Sequence, residues 1–298
     1  MQTFLQLLFA GLALGAIYAL VALGFVVIYR SSQVFNFAHG EFLMFGTFLM
    51  TTFLAVGLWW WVALVLAMLA TGLLGVGVER AILRPMIGRP VFVTIIMTIF
   101  IGLVLRVAVI TFWGVGERGM PTPWRTDGGI RLLDAPMLFN ALWALVFAGV
   151  MLVGFYLLFQ RSKLGVAMRA TATDQEVALG LGIPVGRVFA VSWLIAGILA
   201  ALAGIFLGMF PRSVNINMSF VALAAFPAVL IGGLESPLGA VIAGLSLGVL
   251  QLLTQGYVNP MLGSFGQNFH QVLPFVLMIG FLVVRPYGLF GTREVERV

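Results

Sequence analysis

The chain has 298 residues, of which 62% are hydrophobic and only 9% charged, against about 25% charged in an ordinary soluble domain. So few polar side chains cannot cover a water-soluble fold of this size. Apolar runs of nearly 20 residues, without strict alternation, point to an all-α integral membrane protein rather than a barrel. The net charge of +6 is scattered between apolar runs, which fits a loop bias and not a nucleic-acid-binding face. With no Cys, disulfides and thiolate metal sites are excluded, and two His without a carboxylate cluster offer no metal site.

The first 30 residues lack a basic leader, and their apolar run is much longer than the roughly 7–15 residues of a signal peptide. They are expected to form the first span, about 4–29. Arg30 follows it and places that end inside, with the N-terminus outside. After a short polar connection, Asn36-Phe37-Ala38-His39-Gly40-Glu41 opens span 2, about 37–57, and Trp59, Trp60 and Trp61 form an interfacial belt. Span 3, about 60–78, ends at Glu79-Arg80, and the loop 79–90 carries Arg80, Arg84 and Arg89. Span 4, about 91–113, contains Arg106, which is expected to snorkel outward or hold a phospholipid. In the outer loop 114–137 the charges of Glu117, Arg118, Arg125, Asp127, Arg131 and Asp134 cancel. Trp113, Trp124, Pro121 and Pro123 suggest that this loop lies folded on the outer surface. Span 5 covers about 138–159.

Residues 160–187 interrupt the apolar pattern with Arg161, Lys163, Arg169 and Arg187. Within them Thr173 is placed to cap a short helix, with Glu176 completing a Thr-x-x-Glu box. Val177, Ala178 and Leu179 offer an apolar face before Gly180, Gly182 and Pro184 stop the helix. Such a helix is too short to stand alone and must lie against something. Span 6 covers about 188–210 and an outer connection 211–217 follows. The run 219–254 is broken by Gly232-Gly233-Leu234-Glu235-Ser236-Pro237 into two short spans, about 219–233 and 237–254. Span 9, about 271–284, precedes a tail with Arg285, Arg293 and Arg297. Alternate loops then hold eleven bases inside and four outside, with Arg106 in a span. This supports about nine spans (eight to ten), N-out and C-in, in a single transmembrane domain over 1–298. Gly11, Gly15 and Gly24 allow close helix packing.

Glu41 is the one acid read inside a span. A central charge costs about 2.5–3.5 kcal/mol on insertion scales, so it should face protein or a water-filled path. Asn36, His39 and Gly40 share a face. Glu41 is turned about 200° from His39, which rules out a same-face metal pair. Asn36, His39, Gly40 and Glu41 are either a plain helix start or part of a pathway or gate. The Gly232-Gly233 turn is simple turn chemistry or a broken-helix ligand site. No phosphate loop, Ser/His/Asp order or His-Glu-x-x-His motif is present, so the chain is expected not to be an enzyme. An ATP-driven process would need its nucleotide site on another chain. The competing classes are a secondary transporter or channel, expected to carry further intramembrane charges or repeats, and a membrane enzyme, expected to carry a catalytic cluster.

Several ordered motifs, spread nearly end to end, resemble the LivH-type permeases of bacterial branched-chain amino acid ABC transporters. They are Gly11-Leu-Ala-Leu-Gly15-Ala-Ile-Tyr18, Asn36-Phe-Ala-His39-Gly40-Glu41-Phe, and Arg169-Ala170 with Ala172, Asp174, Ala178, Gly182-Ile183, Arg187 and Ala190. Ile231-Gly232-Gly233 to Pro237-Leu238-Gly239-Ala240 and Arg285-Pro286-x-Gly288-Leu289-Phe290-Gly291 complete the set. The resemblance implies a bacterial inner-membrane importer subunit with a vitamin B12-type architecture and alternating access. Its partners would be a second, LivM-type permease, two cytoplasmic ATPase subunits holding ATP and Mg, and a periplasmic binding protein, with no cofactor on this chain. By position, Thr173, Asp174, Gln175, Glu176, Val177, Ala178, Leu179, Gly180 and Gly182 would be the helix that couples to the ATPase. Relatives with similar motifs carry urea, short amides or aromatic and other carboxylates, so the solute is left open.

Overall fold

The computed structural model describes residues 2–86, 89–125, 128–132, 135–209 and 211–291. Asp127, Asp134, Phe210, Arg293 and Arg297 lie outside the described residues. Almost everything described is helical, as a chain that must satisfy its own backbone groups in hydrocarbon requires. Among the described residues, six helices are long and apolar enough to cross a membrane. The central ones are α1 (Gln2–Ser32) and α8 (Val185–Leu207), which are mostly buried, whereas α4 (Val91–Trp113) and α5 (Phe139–Arg161) are peripheral. Shorter apolar helices are α2 (His39–Ala55), α9 (Val221–Gly232) and α12 (Phe269–Val284).

Several predicted boundaries shift. α1 is longer than expected and ends where Gln33 takes a left-handed φ of 57°, which turns the chain back on itself. α3 (Trp60–Val78) does not stop at Glu79. It continues through a π-turn, Glu79–Leu83, and a short 3-10 turn, Arg84–Met86, so Glu79 is a second acid within a candidate span. α10 (Pro237–Leu253) likewise runs on through a π-turn to the short α11 (Asn259–Met261). The outer loop holds a hairpin, β1 (Gly129–Leu132) paired antiparallel with β2 (Ala135–Leu138). A four-residue strand in a charge-balanced loop leaves too weak a periodicity to read.

Glycine sets the closeness of α1 and α10. A Cβ at Gly11 would stand 2.7 Å from Val249 Cα, and one at Gly15 would stand 2.7 Å from the Leu245 carbonyl. From α10, one at Gly244 would stand 2.7 Å from Ala19 N. Small residues on both helices let the backbones touch, which replaces the hydrophobic drive that lipid does not supply. Tyr18 crosses this seam to donate to Gln251 Oε1 at 2.7 Å, satisfying two buried polar groups together.

The two ends of the bundle are tied separately. At one end Arg118 and Val214 exchange backbone hydrogen bonds of 2.9 and 2.8 Å, which joins the 114–137 loop to the α8–α9 connection. Trp60 donates to the Pro121 carbonyl at 3.1 Å and Trp124 to Asn140 Oδ1. The rings of Trp60, Trp61, Trp124 and Trp143 pack on one another. The expected tryptophan belt is therefore also a clasp that holds the loop down. At the other end Arg30 donates to the Glu235 carbonyl at 2.9 Å, and the Leu289 N–H donates to the Ile231 carbonyl at 2.7 Å.

Candidate functional site

Two groups of residues stand out, one within the bundle and one at the Arg30 end. The inner group forms where two helices begin partway along the bundle. After Gln33 the chain re-enters as an irregular stretch. Asn36 Oδ1 accepts from the Ala38 N–H at 3.0 Å, and the Phe37 N–H is taken up by Thr98 Oγ1 at 3.2 Å. α2 therefore starts at His39, later than read from the sequence, with Asn36 satisfying the turn before it. Gly40 packs directly on the Ser219 carbonyl, and any side chain there would collide with it. Ser219 lies in the 3-10 turn Ile216–Phe220, which leads into α9. The starts of α2 and α9 thus meet. Opposite them stands Gly102, the twelfth of the 23 residues of α4 and 3.4–3.7 Å from Glu41 and Ala38 by the same Cβ measure. The meeting point is at mid-helix, as broken helices place it.

Here Arg106 corrects the expectation of snorkelling. Its Nε and Nη2 donate to Glu41 Oε1 at 3.1 and 2.7 Å, and Nη2 also donates to Ser219 Oγ. The pair is mostly buried, with side-chain exposures of 25% for Arg106 and 14% for Glu41. Pairing removes most of the cost that either charge alone would incur at this depth. Glu41 Oε2 is buried without a hydrogen-bond partner. The guanidinium also lies 4.9 Å from the centroid of the Phe220 ring, a cation–π contact. Phe220 is itself exposed. His39 is placed differently. It is 1% exposed, its ring fills the space left by Gly24 on α1, and its centroid lies 4.7 Å from that of the Phe25 ring, tilted by 52°. Of the four candidates, Glu41 faces the charged cluster, while Asn36, His39 and Gly40 shape the backbone that holds it.

The second group is the 160–187 segment, which folds as two helices, α6 (Lys163–Thr173) and α7 (Gln175–Gly180). The predicted capping box is corrected. Thr173 ends α6 and donates to the Arg169 carbonyl at 3.1 Å. Asp174 is the cap of α7 and accepts from the Glu176 and Val177 N–H groups at 2.8 and 3.0 Å. Asp suits that position because its short carboxylate reaches the first free amides. α6 has its own cap, Ser162, whose Oγ accepts from Gly165 N at 3.0 Å. The expected apolar face divides. Ala178 turns inward onto Val185 and Phe189 of α8, while Val177 and Leu179 are 57% and 58% exposed. Leu181, not singled out from the sequence, is 75% exposed beside them. Gly182 takes a positive φ of 79° as α7 ends, which explains the glycine.

The end of α3 reaches the same region. Glu79, 1% exposed, receives Arg84 through two hydrogen bonds, Nε to Oε1 at 3.0 Å and Nη2 to Oε2 at 2.9 Å. Arg84 Nη2 also donates to the Gly186 carbonyl at the start of α8. One arginine therefore locks α3 to the helix that seats α7. No group of three or more His, Cys, Asp or Glu suited to a metal is found among the described residues.

The family model described as branched-chain amino acid transport system / permease component matches residues 7–282. The chain belongs to this family. Its relatives include the high-affinity branched-chain amino acid transport system permease protein BraD of Pseudomonas aeruginosa, 33% identical over 99% of this chain and 98% of that one. LivH of Escherichia coli K12, with the same description, is 31% identical over 99% and 98%. A probable branched-chain amino acid transport permease of Methanocaldococcus jannaschii is 26% identical over 91% and 88%. No solved structure matches. The chain is thus a membrane-embedded permease subunit of an ABC transport system and not itself an enzyme. It works beside separate ATPase subunits and a solute-binding protein.

Proposed function

We propose that this chain passes branched-chain and other hydrophobic amino acids across the bacterial inner membrane by ATP-driven alternating access. It would do so as a single transmembrane domain paired with a second, LivM-type permease. The solute class comes from the relatives' names and fits a site that pairs both signs of charge with exposed rings. Among the described residues α1 to α5, α8 to α10 and α12 are the helices available to cross the membrane, which supports nine spans. Putting the base-rich end of Arg30, Arg84 and Arg169 in the cytoplasm makes the N-terminus outside and the C-terminus inside. ATP and Mg belong to the partner ATPases.

The observation that carries this reading is α7. A six-residue helix cannot fold alone, yet this one is capped by Asp174 and anchored through Ala178. It holds Val177, Leu179 and Leu181 in the open, and an exposed apolar patch on a polar end marks a protein contact. We assign Thr173–Gly180 and Gly182 as the coupling element on the ATPase. Movement of α7 passes through Ala178, Val185 and Phe189 into α8, which packs on α1, α2 and α3. α2 carries Glu41, so the Asn36–Glu41 stretch serves as the gate that this movement opens.

Glu176→Ala with Leu179→Asp tests the coupling. A charge placed in an apolar interface should lower ATP-driven uptake at least about tenfold while the bundle stays folded. Unchanged uptake would exclude docking through α7. The intramembrane ion pair also admits a secondary transporter, since such pairs serve ion coupling. Uptake that persists without ATP would favour that reading.

A further inference from the structure

We infer that Arg106, Glu41 and Ser219 form a recognition site for the two charged groups of a zwitterionic α-amino acid, with Phe220 receiving its apolar side chain. This rests on the functional reading above and identifies where the permease itself meets its solute.

Three observations converge on it. First, Glu41 stands where the starts of α2 and α9 meet, against Gly102 at the middle of α4, with Arg106 about one turn further on, yet both side chains keep some exposure. A purely structural pair in lipid would be sealed, because exposure to hydrocarbon leaves charges unsolvated. Second, the pair is incomplete. Both Arg106 contacts fall on Glu41 Oε1, and Oε2 is buried without a partner. A lone buried carboxylate oxygen is costly. A carboxylate with one oxygen unbonded keeps capacity for a second cationic donor, which an ammonium would supply. Third, exposed aromatic surface lies against the charges, since the guanidinium stands over the Phe220 ring, which is itself 52% exposed.

Charge balance selects the ligand. Arg106 and Glu41 together are neutral, so a zwitterion can take the place of each partner, carboxylate to Arg106 and ammonium to Glu41, without adding net charge. A simple monocarboxylate would pair with Arg106 and leave Glu41 uncompensated, which the low dielectric penalises heavily. Ser219 Oγ holds the guanidinium in position for the exchange.

The test is saturation-transfer NMR on the detergent-purified complex of this chain with its partner subunits, without the binding protein. The probes are leucine and 4-methylpentanoate, its analogue lacking the amino group. The intact complex should show leucine contacts and much weaker ones from the analogue. Glu41→Gln leaves an uncompensated Arg106 and should reverse that order, changing the ratio at least about tenfold. Arg106→Lys keeps the charge, loses the planar fork and should weaken leucine without reversing the order. It serves as the second variant if Glu41→Gln fails to assemble. Leucine contacts unaltered in whichever variant assembles, or equal contacts from both probes in the unmodified complex, would overturn the proposal. A failure of the functional reading shows separately, as absence of leucine uptake by the intact transporter with its binding protein.

Discussion

Replacing Arg84 by Met should be among the most damaging single changes in the chain, although Arg84 is partly exposed. The side chain removed is 39% exposed, but the carboxylate it leaves behind, Glu79, is 1% exposed. Breaking a buried pair from one side costs about 3–5 kcal/mol. The exposure of Arg84 lets water reach part of the gap, which puts the loss near the lower end, about 3 kcal/mol. At roughly 2–4 °C per kcal/mol, the melting temperature in detergent should fall by about 6–12 °C. Adding Glu79→Gln removes the stranded charge, so the double variant should recover at least half of the loss. It would still lack the Arg84 link to Gly186, so a transporter assembled with it should hydrolyse ATP on its partner subunits with reduced uptake. A double variant no more stable than Arg84→Met alone would refute the account of a buried pair that locks α3 to α8.

Other positions give equally direct checks. Asp174→Ala should destabilise α7 by about 1 kcal/mol and lower uptake, whereas Thr173→Ala should do little, because Asp174 is the cap. Protection of the Val177 amide in hydrogen exchange would register the difference. Gly248→Val forces a side chain into the backbone of α1 at Gly15 and should cost more than the usual 1–3 kcal/mol of overpacking, read as loss of folded protein in detergent. Trp124→Cys should react with an impermeant thiol reagent from the periplasmic side. Labelling only from the cytoplasm would invert the topology.

Hydropathy alone was enough to place α4, found at the predicted 91–113, and to place α5 and α8 within three residues at each described end. The reason is that lipid demands long apolar runs whatever their partners. What it missed depends on residues far apart in sequence. Glu41 and Arg106 are 65 positions apart and Ser219 is a further 113 from Arg106, a distance that no local period encodes. The available signal was the opposite sign of two intramembrane charges, which taken together would have suggested a pair. α7 was legible as a short capped helix. Its cap was misassigned by one residue because Thr173 and Asp174 are both good cap residues, and only the backbone turn decides between them. The inward turn of Ala178 and the exposure of Leu181 follow from the seat on α8, which the segment itself does not contain.

The central claim is that solute passage through this chain is driven by ATP hydrolysis on a partner docked at α7. Its most direct test is leucine uptake into proteoliposomes that hold this chain, the second permease and the ATPases, with the loaded binding protein outside. With ATP and Mg enclosed, leucine should accumulate above its external concentration, and a non-hydrolysable analogue or the Glu176→Ala/Leu179→Asp variant should abolish this. Accumulation that is indifferent to ATP, or intact in that variant, would contradict the account.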